Sequence, residues 1–502
     1  MACGRSVAPD EDAPRDPPLP SRLPVATLRP SDGRTRVHDD YDLVVIGGGS
    51  AGEKGAAQAA YFGKRVAVVD RWPRPGGATV HTGTLPSKTL RETALFLSGY
   101  RQRDLYGVSV EVSRDLEVAT LIDRKNAVRD LEAARILANF ERHGVELIHG
   151  EARVADAQAV VVDASEGTRT LHAEAILIAT GSSPWRPPDI PFDDLDVHDS
   201  DSILRIDRVP RSMTVLGGGV VGSEYASVFA ALGVEVHLVD GKGRLLPFLD
   251  HEIGERLRDG MAGLGVVFHL EEHAEDVRRV PTGRLRTTLT SGATIETGKL
   301  LVASGRIGNT VGLGLETLGI ETDARGLVAV DAEFRTSVPS VFAAGDVIGF
   351  PALASTSMEQ ARVAVCHAFG FAYKRDMSDL LPYGVYTIPE VSCVGLSEQE
   401  AASRGLDVVV GRAPYRDNAR GEIIGDRDGL TKLVFDRATR RLVGCHCIGE
   451  RASELVHVGQ AVISLGGTAE TFIEMVFNYP TLSETYKYAA YDALARLGPA
   501  LR

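Results

Sequence analysis

Cysteine is scarce in this chain: five among 502 residues, Cys3, Cys366, Cys393, Cys445 and Cys447. So sparse and odd a set excludes a disulfide framework and points to a reducing, cytoplasmic setting. An excess of basic residues is also lacking. The 68 Asp and Glu outnumber the 55 Lys and Arg, leaving a net charge of -13, which argues against a nucleic-acid partner. Long apolar runs are missing too. The longest stretch free of Asp, Glu, Lys and Arg, Leu455 to Ala469, is broken by glycines and a histidine and falls short of the ~20 apolar residues of a membrane helix. A metal cluster is not expected. Cys445 and Cys447 flank His446, but residues i and i+2 of a strand stand about 6.6 Å apart on one face, and no further ligand set lies near them. Ordinary sheet packing is the expectation for this pair.

The composition that remains, 44% apolar and 25% charged, is that of a soluble globular protein. A prior of roughly 150 residues per domain gives about three domains. Residues 1–40 carry seven prolines and no apolar periodicity, so they read as a disordered tail without a signal peptide. From Tyr41 the pattern changes to a buried apolar run, a glycine turn, an Ala-rich helical stretch and a second apolar run ending at Asp70. That is a strand–helix–strand unit. A near copy runs from Ser212 to Asp240. Past Phe371, β-prone runs alternate with two helical stretches and no glycine fingerprint recurs, which describes a third, α+β domain.

In the first unit Gly47, Gly49 and Gly52 have the G-x-G-x-x-G spacing: one glycine for the turn, one for close approach of a pyrophosphate, one for helix packing. Asp70, 18 residues beyond Gly52, stands where a carboxylate accepts hydrogen bonds from an adenosine ribose. The same stretch also reads G-x-S-x-G about Ser50, the nucleophile elbow of a hydrolase. That reading loses because the second unit keeps Gly217, Gly219 and Gly222 but has Val220 where the nucleophile would stand. The second unit ends in Asp240, followed by Lys242 and Arg244. An acidic residue suits the free 2′-hydroxyl of NAD and a basic one the 2′-phosphate of NADP, so both nicotinamides are expected; a solvated turn is the plainer alternative.

These residues carry a family resemblance from Asp42 to about Leu497. GGGSAG at Gly47, GGATVHTGTLPSK from Gly76 to Lys88, ATG at Ala179 to Gly181, GGGVVGSEY at Gly217 and VFAAGD ending at Asp346 occur in this order. The chain resembles the pyridine nucleotide-disulfide oxidoreductases, flavoproteins that bind FAD. The resemblance implies an α/β fold with two Rossmann-like dinucleotide-binding domains, for FAD and NAD(P), and a C-terminal α+β dimerisation domain. Residues 41–183 and 307–371 would form the FAD-binding domain, 184–306 the NAD(P)-binding domain and 372–502 the interface. It further implies that Gly47, Gly49, Gly52 and Asp70 hold the adenosine diphosphate half of FAD and that Asp346 bonds the ribityl chain. Gly76, Gly77, Thr79, Ala179, Thr180, Gly181, Gly305, Arg306 and Gly345 are further cofactor contacts. Lys88 and Glu224 match the family's ion pair beside the flavin ring, where a cation stabilises charge as hydride arrives; a structural salt bridge is the rival reading.

The departures say more. The family's redox loop reads GG-x-C-x-x-x-x-C-x-P-x-K, and here both cysteine positions are threonine, Thr79 and Thr84. A threonine hydroxyl cannot cycle through a disulfide. The family's C-terminal histidine before Pro-Thr is here Tyr479, with Glu484 retained behind it. One branch is similar to what remains, the soluble pyridine nucleotide transhydrogenases, at YTIPEVSCVG, GERASELVHVGQAVI and FNYPTLSETYK. That branch tends to keep the first loop cysteine, which this chain lacks at Thr79.

The expected activity is therefore hydride transfer between NADPH and NAD through FAD in a ping-pong cycle. The alternatives are a diaphorase or oxidase feeding quinone or oxygen, and a non-enzymatic nicotinamide-sensing flavoprotein. His81 either tunes the flavin or only bonds a backbone carbonyl. Tyr479 either closes the flavin pocket or packs in a core. In a homodimer of the family's kind, Tyr479 and Glu484 would act on the partner's flavin.

Overall fold

The computed structural model describes residues 39–102, 105, 106 and 118–497. The tail reading for residues 1–40, with Cys3, lies outside the described residues up to position 38. The strand from Asp40 to Ile46 is buried from its second residue on, and Val66–Asp70 is buried throughout. Strands buried on both faces belong in a parallel sheet covered by helices, and these two pair in parallel register, Leu43 against Val66 and Ile46 against Val69. The connecting helix, Ser50–Tyr61, is rich in alanine and glycine. Its small residues allow a tight seat: a Cβ on Gly55 would lie 2.7 Å from Leu177 and 3.3 Å from Ala361 in the helix Ala354–Ala368.

The first sheet runs Glu146–His149, Val66–Asp70, Asp40–Ile46, Gly167–Ile178, Ala159–Ala164 and Glu151–Asp156, the last two antiparallel. A late strand, Val341–Ala343, returns to pair in parallel with Gly167–Ile178. Between these visits the chain builds a second parallel sheet in the order Val266–Leu270, Glu235–Asp240, Ser212–Leu216, Lys299–Val302 and Val197–Asp199. An antiparallel meander, Ala274–Arg279, Leu285–Leu289 and Thr294–Thr297, is appended to it. A short ribbon, Ser182–Pro184 against Arg306–Gly308, lies where the chain leaves the first sheet and where it returns.

The third sheet is antiparallel, in the order Tyr383–Val385, Val391–Gly395, Leu442–Ile448, Leu430–Asp436 and Val408–Pro414. The two expected helical stretches here are Ala452–Ser464 and Thr485–Leu497; three further six-residue helices accompany them, too short for apolar periodicity to reveal. The fold class is thus α/β with two dinucleotide-binding sheets and a C-terminal α+β layer. One core cluster unites Leu90 and Leu95 of the helix Thr84–Leu97 with the second sheet, with Val385 and Val391 of the third, and with Ile388 in the turn between them. That junction brings Lys88 beside the second nucleotide unit. No helix among the described residues is long and apolar enough to cross a membrane.

Candidate functional site

In the first loop Gly47 has φ +105° and Gly52 sits so close beneath it that a Cβ would stand 1.8 Å from the Gly47 carbonyl oxygen. The Gly48 N–H donates to Asp70 Oδ2 at 2.8 Å and the Trp72 N–H to Asp70 Oδ1 at 2.9 Å. Asp70 is buried, which raises its pKa, while those backbone donors pull the other way. Its carboxylate thus shapes the loop, and lone pairs remain for a ribose. Over this loop lies the segment Gly76–Lys88. The Gly76 N–H donates to the Gly48 carbonyl at 2.8 Å, and a Cβ on Gly77 would come within 2.8 Å of Gly49 Cα. Ser50 Oγ donates to Thr79 Oγ1 at 2.7 Å. Ser50 is accordingly tied to a threonine with no histidine in that contact, which removes the nucleophile elbow.

His81 Nε2 lies 3.0 Å from the Pro75 carbonyl and 3.1 Å from that of Arg74, the backbone-carbonyl contact that is the plainer of its two readings. Thr84 begins the helix that carries Lys88. Lys88 Nζ donates to Glu224 Oε2 at 2.6 Å across 136 residues of sequence, and it stands 4.9 Å over the Tyr386 ring. The Tyr386 N–H donates to Glu224 Oε1 at 2.9 Å. Glu224 is thus held from both sides, 8% exposed, while Lys88 keeps 25% of its side chain open. A cation whose partner is buried and bonded at both oxygens is fixed in place without being sealed off. Beside it a cleft of about 620 Å³ opens between Lys88, Tyr386 and Arg451.

Asp346 and Arg306 meet through a third residue that sequence reading did not mark. Ser182 Oγ donates to Asp346 Oδ2 at 2.9 Å, and Arg306 Nε donates to Ser182 Oγ at 2.8 Å. Arg306 also reaches the Ser182 carbonyl at 2.7 Å and lies 3.6 Å from Asp201, whose pKa burial raises. Arg306 therefore ties the two nucleotide units together. Thr180 Oγ1, between Ala179 and Gly181, is buried and has no hydrogen-bond partner among the described residues. Around Gly181 and Gly305, both with positive φ, nothing lies within 4 Å of a hypothetical Cβ. An orphaned hydroxyl beside open glycines fits a polar cofactor along this groove.

The second loop repeats the first. Gly217 has φ +105°, a Cβ on Gly222 would meet the Gly217 oxygen at 1.8 Å, and the Gly218 N–H donates to Asp240 Oδ2 at 2.6 Å. The Lys242 N–H donates to Asp240 Oδ1 at 3.0 Å. Around Gly219 nothing lies within 4 Å of a Cβ, and Lys242 is exposed.

Tyr479 is 73% exposed and Val476 94%, so the C-terminal motif stands off the chain that carries it. Behind it Glu484 Oε2 is buried without a hydrogen-bond partner among the described residues. Cys445 and Cys447 are buried, with Sγ atoms 3.3 and 4.0 Å from Tyr486 Oη; no group of three or more metal-ligating side chains occurs among the described residues.

Residues 41–368 match the family described as pyridine nucleotide-disulphide oxidoreductase, and residues 381–490 match its dimerisation domain. The chain is 44% identical over 460 residues to a protein of Mycobacterium bovis (strain BCG / Pasteur 1173P2) named soluble pyridine nucleotide transhydrogenase, covering 91% of this chain and 98% of that one. A Yersinia pestis (strain Pestoides F) protein of the same name is 38% identical, covering 92% and 99%. Among solved structures, LpdA from Mycobacterium tuberculosis superposes with a TM-score of 0.83 at 28% identity, covering 89% of this chain and 99% of that chain. The HOCl-induced flavoprotein disulfide reductase RclA from Escherichia coli gives 0.81 at 27%, covering 90% and 99%. With both family regions matched in chain order and the two glycine loops built alike, this chain belongs to the pyridine nucleotide-disulphide oxidoreductase family.

Proposed function

We propose that the protein is an FAD-dependent transhydrogenase, exchanging hydride between NADPH and NAD. The observation that carries this reading is the identity, over nearly their whole length, to relatives named for that activity. The loop chemistry agrees with it. Thr79 and Thr84 replace the two cysteines through which a disulfide reductase would pass electrons, so a reductant's electrons leave at the flavin itself, most simply to another nicotinamide. FAD, when bound, supplies the centre that accepts and returns hydride.

The chain's own residues then have separable tasks. Gly47, Gly49, Gly52 and Asp70 would hold the adenosine diphosphate half of FAD, with Gly76, Gly77 and Thr79 closing over it. Ala179, Thr180, Gly181, Gly345 and Asp346 would line the remainder. Lys88, fixed by Glu224, would place a positive charge where negative charge develops during transfer. Gly217, Gly219, Gly222 and the turn Asp240–Arg244 would take the nicotinamide dinucleotides in turn, with Gly305 and Arg306 at the junction. His81 would have a positioning role, anchoring the loop to Pro75 rather than exchanging protons. We further propose a homodimer in which the exposed Tyr479 enters the partner's site with Glu484 behind it, and a cytoplasmic setting, consistent with four free cysteines among the described residues.

Steady-state transfer from NADPH to a thionicotinamide analogue of NAD tests the reading. Parallel double-reciprocal lines are expected. Intersecting lines, or quinone reduction far faster than nicotinamide reduction, would count against it.

A further inference from the structure

The turn after the second loop is faced by a second turn, residues 271–273, and the two are stitched together. The Glu271 N–H donates to the Lys242 carbonyl at 3.4 Å and the Glu272 N–H to the Asp240 carbonyl at 3.2 Å. Register leads into this contact, since the strands before the turns pair in parallel up to Asp240 against Leu270. The third residue of the facing turn, His273, lies directly over Gly241. A Cβ added there would stand 2.1 Å from the ring's Cε1 and 2.4 Å from Nε2.

Gly241 is not among the glycines with positive φ, so its backbone conformation does not demand glycine. A Cβ there would need the exposed imidazole to move aside. The sequence leaves out a side chain between Asp240 and Lys242, and an imidazole from the facing turn fills the gap. Its backbone N–H donates to Thr290 Oγ1, and no hydrogen bond to its ring nitrogens is formed among the described residues. Glu272 is engaged by Thr290 and Ser291, and the Glu271 side chain turns toward Gly243. Arg244 reaches toward Gly254 of the helix His251–Gly263, 3.6 Å from where a Cβ would be. Asp240 is engaged by two backbone donors. The groups left over the turn with donors to offer are therefore Lys242 and His273, both exposed, with the half-buried Arg244 beside them.

We propose that His273 reads the adenosine 2′ position of the exchanging nucleotide and favours the 2′-phosphate form. The imidazole and Lys242 flank the end of the Glu235–Asp240 strand, where the ribose of a dinucleotide lies in this type of unit. A ring N–H directed at a phosphate, beside an ammonium, adds a charge-assisted contact that a free hydroxyl forms only weakly. The inference rests on the transhydrogenase reading, because it presumes that both nucleotides use this loop.

The test compares binding of NADP and NAD to the FAD-loaded enzyme by calorimetry, for wild type, His273→Asn, His273→Lys, Gly241→Ala and the double variant Gly241→Ala/His273→Asn. His273→Asn should weaken NADP about fivefold, the scale of one exposed charged contact, and move NAD less than about twofold. His273→Lys should retain NADP binding. Gly241→Ala should reproduce the loss by displacing an exposed ring into solvent, and it should add nothing once His273 is Asn. Equal weakening of both nucleotides, or no change for NADP, overturns the proposal. Flavin reduction by NADPH and reoxidation by NAD, measured on wild type and His273→Asn alike, separates the two failures. If wild type exchanges both nucleotides while the variants do not discriminate, only the role of His273 falls. If wild type does not use NADP at all, the functional reading falls with it.

Discussion

Gly47 and Gly217 share a φ of +105°, each lies 1.8 Å from the Cβ that its partner glycine lacks, and each loop donates an N–H to the aspartate ending the next strand. Over the first loop lie Gly76, Gly77 and Thr79, and Asp70 is 6% exposed. Over the second nothing comes near Gly219, Asp240 is half-buried and Lys242 faces solvent. Identical backbone chemistry thus serves a covered site and an open one. On the proposed reading a dinucleotide under the first cover would exchange slowly, because the segment from Gly76 to Lys88 would have to move to release it, and one on the second loop would come and go. That asymmetry is what the proposed resident cofactor with an exchanging substrate would require.

Breaking the charge between the two sites should have the largest effect. Lys88→Met should slow flavin reduction by NADPH about a hundredfold, the scale of losing one preorganised electrostatic contact, with nucleotide binding little changed. Stopped-flow absorbance on the FAD-loaded variant measures this, and a rate within a factor of three of wild type would reduce the Lys88–Glu224 pair to a structural salt bridge.

The glycines sharpen the comparison next. Gly52→Ala and Gly222→Ala place a methyl in the same clash, 1.8 Å from a carbonyl oxygen. Gly52→Ala should yield protein purified without flavin colour. Gly222→Ala should remain yellow while its KM for both nicotinamides rises at least tenfold. If both variants lost flavin equally, the two loops would not divide the work as described.

A smaller effect is expected at the carboxylate ending the second unit. Asp240→Ala removes the acceptor for the Gly218 and Lys242 N–H groups and should cost about 1–2 kcal/mol in nucleotide binding, with NAD weakened more than NADP. Calorimetric titration of each nucleotide decides it. Smallest of all, Thr79→Cys/Thr84→Cys should leave disulfide reduction near background, because Tyr479 supplies no imidazole for thiol protons; glutathione disulfide or lipoamide turnover by the double variant would contradict this.

Both nucleotide units were legible from glycine spacing and apolar runs, because turn, strand and helix are local in sequence. Lys88 and Glu224 were legible only through resemblance, since 136 residues separate them and no periodicity links them. The arrangements that hold them were not. Tyr386 offers Glu224 a backbone N–H, which any residue type could do. Ser182 joins Arg306 to Asp346 through tertiary contact alone. His273 became visible only when the structure laid it over Gly241. The meander from Ala274 to Thr297 leaves no clear signal in the sequence because its strands are short and largely polar.

One open loop would serve two nicotinamides in turn while the covered loop keeps its cofactor. Double-mixing stopped flow tests it most directly: the enzyme is reduced anaerobically with one equivalent of NADPH, then mixed with NAD, with flavin absorbance followed throughout. The account predicts that NAD restores the oxidised flavin spectrum as fast as steady-state turnover requires, with no flavin released into the filtrate. Reoxidation by NAD slower than turnover, or flavin appearing in the filtrate during the cycle, would contradict it.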